Sequence, residues 1–335
     1  MAAGADGGET SRDQALRRAR VWQEPLQPIA AANLAANPPG GFRTEEVVPC
    51  TFRLQRSRGW TPKFECVLAS GEDVKVKYGH RSAEVFGEVA STRLLSALGF
   101  GADRMYVVQA VRCLGCPLFP YPRSGILDAA RKIDGREVTF TLAAIERKIP
   151  GRTIRSATHD GWEWPELDRI DAAAGGSSRA EIDALRLMAA FLSHWDTKSI
   201  NQRLVCLEGG ETPEGCSRPM AILHDVGATF GPRSVDLEGW KGRPIWADPA
   251  GCRLSMKDLP YGGTSFGEPT ISEAGRRFLG DRLRQLARGQ IVALFQGARF
   301  SEYERLSEAG RDIENWADAF EDKVRQIADR PPCPN

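Results

Sequence analysis

The chain has 335 residues, enough for one large domain or two lobes around a sizeable core. Its formal net charge is +1 with acids and bases interspersed, which excludes an overall field drawing it to nucleic acid or to an acidic membrane. No run reaches the roughly 18–20 apolar residues that span a bilayer, and the polar, then basic N-terminus lacks an apolar secretory core, so the sequence reads as cytoplasmic.

Residues 1–45 read as an extension or linker, rich in Ala, Gly, Pro and Arg, of the composition that commonly stays disordered. From residue 46 the signals change to strands: VVPCTFRL, KFECVLAS and DVKVKY carry β-branched and aromatic residues. In DVKVKY, alternation puts Val74, Val76 and Tyr78 on one face and Lys75 and Lys77 on the other. Residues 82–98 follow a helical period, with Phe86, Ala90, Leu94 and Ala97 in one stripe, Glu84 and Glu88 on another face, and Gly99 as a stop. MYVVQAV and TFTLAAIER are two further strands.

The second half opens after KIPGRTI. Ser178 and Glu181 form a capping box that starts a helix over about 179–193. RLVCL and MAILHDVG read as a short strand pair, with EGGETPEGCSR as a loop insertion between them. Thr270 and Glu273 read as a second capping box, opening one helix that runs to about 298, and an amphipathic helix fills the tail from Ser301 to about Ala328. The tryptophans at 162, 164, 240 and 246 read as packing aromatics, with substrate stacking as the alternative. Strands with one helix, then mostly helices, imply an α+β chain with a small β-rich lobe (46–148) before a larger helical lobe (149–330).

Eight cysteines, at 50, 66, 113, 116, 206, 216, 252 and 333, do not make a disulfide scaffold in a chain this long. Only Cys113 and Cys116 form a close pair. That C-x-x-C leaves a zinc or cluster site, a redox or disulfide pair, and a packed turn all open. A structural zinc site wants four ligands, and no second such pair exists.

Four polar segments stand out from this framework: His194-Trp195-Asp196-Thr197-Lys198-Ser199-Ile200-Asn201 after the capped helix, Leu223-His224-Asp225-Val226-Gly227 after an apolar run, Val74-Lys75-Val76-Lys77 on a strand, and Gly59-Trp60-Thr61-Pro62-Lys63 before it. The first resembles the H-R-D-x-K-x-x-N catalytic loop of the protein-kinase superfamily, the second its D-F-G metal motif, and the third its V-A-I-K strand. The segment from Glu88 to Gly99 and the Gly59–Lys63 loop are similar to those of HipA-like serine/threonine kinases, and the pattern as a whole stands nearer to HipA-like and phosphatidylinositol-kinase-like proteins than to typical eukaryotic kinases.

The resemblance implies a bilobal kinase-like fold that binds ATP and Mg2+. Asp196 would orient the acceptor hydroxyl, Lys198 would steady the transferred phosphoryl, and Asn201 and Asp225 would hold the metal. Lys77 would bind the phosphates with Glu88 as its partner and Glu84 as the fallback. Gly59 and Lys63 would lie at the phosphates, and the backbone at Glu146 would meet adenine at the hinge. Val226 replaces the usual Phe, and Trp195 the usual Arg. The acceptor would be a hydroxyl on a protein Ser/Thr, a lipid headgroup or a small molecule. A pseudokinase binding module, an AMP-transferring enzyme on the same fold, and a metal- or redox-dependent protein built around Cys113 and Cys116 are the alternatives.

Overall fold

The computed structural model describes residues 6–54, 61–117, 120–121, 136–155, 161–213, 215–262 and 265–334. Its first half is built on a closed five-stranded barrel: β1 (Val47–Arg53), β2 (Lys63–Val67), β3 (Asp73–Tyr78), β4 (Arg104–Leu114) and β5 (Glu137–Arg147), in the order β1-β2-β3-β5-β4. β1 returns to β4 in parallel, and this seam closes the barrel. Val74, Val76, Phe64 and Ile145 fill its interior. That leaves Lys75 and Lys77 on the outer face, where α2 (Ala83–Ala97) lies between β3 and β4. Gly99 ends α2 at φ +88°, and a Cβ there would lie 2.2 Å from the Gln23 carbonyl oxygen. Only glycine meets both demands.

The second half is mostly helical, so the chain is α+β. After β6 (Gly151–Thr153), Ser178 and Glu181 form the expected capping box at the start of α3 (Arg179–Leu192). β7 (Gln202–Leu207) and β10 (Pro219–Leu223) pair antiparallel, and the expected loop between them holds a short hairpin of β8 (Glu211–Thr212) and β9 (Gly215–Cys216). Then come α4 (Leu237–Gly242), β11 (Trp246–Asp248), β12 (Arg253–Leu254), α5 (Glu273–Leu283), α6 (Arg288–Gly297), α7 (Glu308–Arg311) and α8 (Ile313–Ala328).

Three boundaries differ from expectation, one of them in the tail, where the helix expected from Ser301 starts only at Ile313, after the short α7. Ser272, not Thr270, caps α5, its hydroxyl accepting from Gly275 N–H. The helix expected to run to 298 is broken at 284–287, where Leu286 turns into the core with no Gly or Pro to mark the stop. The core joins Phe191, Phe230, Trp240, Phe295, Trp316 and Phe320 edge to face and stacked. Trp162, Trp164, Trp240 and Trp246 are all buried, which removes them as stacking platforms for a substrate. No helix among the described residues is long and apolar enough to cross a membrane.

The N-terminal extension is not a loose tail from residue 6 onward. α1 (Asp6–Arg17) buries Ala15 and Leu16, and Arg12 pairs with Glu166 at 2.7 Å. The chain then adds a parallel bridge to β10 through Arg20 and Met220 and crosses to the barrel. Its small residues let the backbone lie flat, and side chains from both halves take up its polar groups. Arg93 on α2 donates to the carbonyls of Leu34 (3.2 Å) and Ala35 (2.9 Å) and to Asn37 Oδ1 (2.8 Å). Asn37 in turn brackets Val107 on β4 with two hydrogen bonds. Residues 6–45 therefore strap α2 to both halves of the molecule.

Arg93→Ala removes three hydrogen bonds from a charged donor, one buried and two partly buried, and takes the donor from two carbonyls. It is expected to cost about 2–4 kcal/mol in urea unfolding, and limited proteolysis should then cut first between residues 24 and 45. Wild-type stability in the variant would show that the strap does not hold α2.

Candidate active site

Lys77 Nζ is fully buried and lies 2.5 Å from Glu88, 3.4 Å from Asp225, 3.7 Å from Glu84 and 3.8 Å from Glu146. The strand's alternation aims it at α2, and the helix places Glu88 nearer to it than Glu84, one turn earlier. Lys75 bonds both oxygens of Glu146, at 2.7 and 2.9 Å. It belongs to the site and is not a solvated surface lysine. Lys63 pairs in register with Lys77 across the β2–β3 ladder, and its charge acts on Asp225.

Charge governs this cluster. Burial alone would lower the Lys77 pKa, but Asp225 and Glu88 hold it well above the ordinary lysine value. Burial pushes Glu88 up to about 8 against the pull of Lys77, and the Asp225 and Glu146 carboxylates add to the rise. For Glu146, burial is outweighed by Lys75 and then Lys77, which hold it down at about 2. For Asp225, burial is outweighed by Lys77, Lys75 and Lys63, which keep it ionised far below the usual carboxylate range.

Asn201 and Asp225 meet because of strand register. Gln202 opens β7 opposite Leu223, the last residue of β10. The residues just outside that ladder are 201 and 224–225. The Asn201 carbonyl accepts the backbone N–H groups of His224 (2.8 Å) and Asp225 (3.2 Å). Asn201 Nδ2 donates to the Asp196 carbonyl at 2.8 Å, which leaves Oδ1 as the side-chain atom able to coordinate a metal.

α3 ends at Ser193 with φ 53°, a left-handed turn from which the chain runs through 194–201 into β7. There the Asp196 side chain is 26% exposed and Lys198 Nζ sits 3.1 Å from its Oδ1. Lys198 also lies 3.5 Å over the Tyr261 ring. His194 is fully buried, and burial lowers its pKa, so it packs as a neutral ring.

α2 closes over this arrangement at two glycines. A Cβ on Gly227 would fall 2.7 Å from Cβ of Glu84, and one on Gly87 would fall 3.0 Å from the Gly227 carbonyl oxygen. The motif glycine is thus required by close approach of the helix. Val226 is fully buried, as expected of a residue that only packs.

One expectation changes and one is not reached. Glu146 does not offer its backbone to a ligand as a hinge. It stands in register between Lys75 on β3 and Met105 on β4, so its peptide groups belong to the barrel and its carboxylate enters the lysine cluster. Gly59 lies outside the described residues.

Sequence reasoning missed Asp103. It is buried, accepts Arg203 through both oxygens (3.1 and 3.0 Å), takes the Ile149 N–H at 2.7 Å and meets His224 Nδ1 at 2.5 Å. It ties the connection after β5 to the residue preceding Asp225. It sits in a Gly-Ala-Asp-Arg turn with every partner at least 46 residues away, so no local pattern announces it.

The donor set suits a divalent cation with phosphates. An aspartate plus an amide oxygen are ligands that magnesium accepts, and Lys77 and Lys75 stand beside them as partners for phosphate oxygens.

No family model matches the chain, and no curated protein matches it. A solved structure of a Helicobacter pylori proinflammatory kinase, CtkA, aligns at 9% identity and a TM-score of 0.45, over 85% of this chain and 96% of that one. A likeness of that degree decides neither fold nor function.

Proposed function

We propose that this chain is a bilobal, protein-kinase-like phosphotransferase that uses ATP and Mg2+ to phosphorylate a hydroxyl. One observation carries the reading: Lys77 Nζ bonds Glu88 at 2.5 Å and reaches Asp225 at 3.4 Å, across 148 residues of chain. A fully buried lysine held between a helix glutamate and a cleft aspartate is what phosphate binding beside a metal requires.

Magnesium and the triphosphate, when bound, supply the transferable group and neutralise its charge. Asp225 and Asn201 Oδ1 would hold the metal. Lys77, kept protonated and oriented by Glu88, would bind phosphate oxygens. Asp196, partly exposed beside Lys198, would orient the acceptor hydroxyl and take up its proton, while Lys198 would offset charge on the transferred group. Residues 46–148 would form the nucleotide lobe and 149–330 the catalytic lobe. The resemblance to HipA-like kinases favours a protein Ser/Thr acceptor.

The test is incubation with labelled ATP, magnesium and a lysate of the native host. Label from γ-labelled ATP should reach an acceptor, and none should do so with Asp196→Ala. Transfer from α-labelled ATP would instead mean AMP transfer. Binding of ATP with no transfer of either label would mean a pseudokinase.

A further inference from the structure

All eight cysteines are paired. Cys50 bonds Cys66, Cys113 bonds Cys116, Cys206 bonds Cys216 and Cys252 bonds Cys333, and no cysteine is free. The Cα–Cα separations are 5.6 or 5.7 Å at every pair, within the narrow range that a bridge demands. The pairs span 16, 3, 10 and 81 residues, so the meetings are products of the fold and not only of sequence proximity.

Their places are also consistent. Cys50 and Cys113 stand in register across the parallel β1–β4 seam. Cys66 Sγ is 3.9 Å from Cys113 Sγ, so two bridges touch and staple the barrel where it closes. Cys206–Cys216 ties β7 to its insertion hairpin. Cys252–Cys333 fastens the C-terminal segment beside β12. Seven of the eight are buried, all but Cys216.

In a chain kept reduced and without a bound metal, nothing selects for eight thiols falling into four bonding pairs, because a buried free cysteine is simply a small apolar residue. Selection for pairing exists where bridges form and persist, in oxidising compartments. We infer that these eight positions are four sites of oxidative modification, and that the chain matures and works in an oxidising compartment. This inference runs against the cytoplasmic expectation. At each pair two thiols give up two protons and two electrons to a protein or small-molecule disulfide, which is reduced to its dithiol. The hydroxyl acceptor would then share that compartment, a clause that rests on the kinase reading. The cysteine state does not.

The four sulfurs at 50, 66, 113 and 116 offer one rival. In reduced form they could gather a zinc ion, since Cys50, Cys66 and Cys113 already lie within 4.8 Å of one another. The test is acid quenching of native-source cells, alkylation before and after reduction, peptide mapping and zinc analysis of the purified chain. The expected result is no alkylation before reduction, alkylation at all eight positions after it, four bridged peptides of the stated connectivity, and no zinc. Alkylation of these positions without prior reduction would overturn the inference, as would stoichiometric zinc on four free thiols. A fully bridged chain that fails to turn over ATP would sink the kinase reading and leave the bridges standing. Free thiols on a chain that phosphorylates its acceptor would do the reverse.

Discussion

Asp225→Ala is expected to lower phosphoryl transfer by on the order of 10³-fold, about 4 kcal/mol of transition-state stabilisation, while the protein still folds. The aspartate is held ionised by Lys77, Lys75 and Lys63 and its side chain stays 25% exposed. A structural carboxylate would have no reason to keep an open side next to three lysines. Its removal relieves repulsion with Glu88 and Glu146 but takes from the buried Lys77 a carboxylate 3.4 Å away, so some loss of melting temperature is expected with the lost transfer, and transfer is read on the folded protein. Activity within tenfold of wild type would mean that the metal sits elsewhere.

Lys77→Met should cost both activity and stability. It leaves Asp225 without its nearest buried cation, Glu146 with Lys75 alone, and buried Glu88 without its hydrogen-bond donor. Breaking a buried ion pair from one side costs about 3–5 kcal/mol, measurable by urea unfolding.

Glu88 also makes a pH prediction. Its folded pKa of about 8 lies above the ordinary 4.5, so the folded state holds a proton that the unfolded state has released. Its contribution to stability is fully present below about 4.5 and is lost as pH rises through about 8. Glu88→Gln should abolish that decline. A decline that persists in the variant would assign it to another group.

How much of this was legible in the sequence follows physical range. Period-two alternation put Lys75 and Lys77 on one face of β3. Helical spacing made Glu84 and Glu88 the candidates, and Glu88 proved the nearer partner. The Ser178–Glu181 box marked the start of α3, and the β7–β10 pair could be read from two apolar runs. These are local signals, a few residues long. The strap was read as a linker because its alanines look like low complexity, whereas its stability comes from Arg93 and Asn37, whose partners are distant. Glu146 was assigned by its backbone because a sequence does not say which strands flank it. Asp103 and the 81-residue span from Cys252 to Cys333 depend on tertiary meetings that no window of sequence contains.

The most direct measurement is a crystal structure of the full chain with Mg2+ and a non-hydrolysable ATP analogue. The predicted result is a metal bound by the side chains of residues 225 and 201, with the ammonium of residue 77 on the phosphates and the carboxylate of residue 196 facing the terminal one. A nucleotide bound away from residue 77, or a metal held by neither 225 nor 201, would contradict the account.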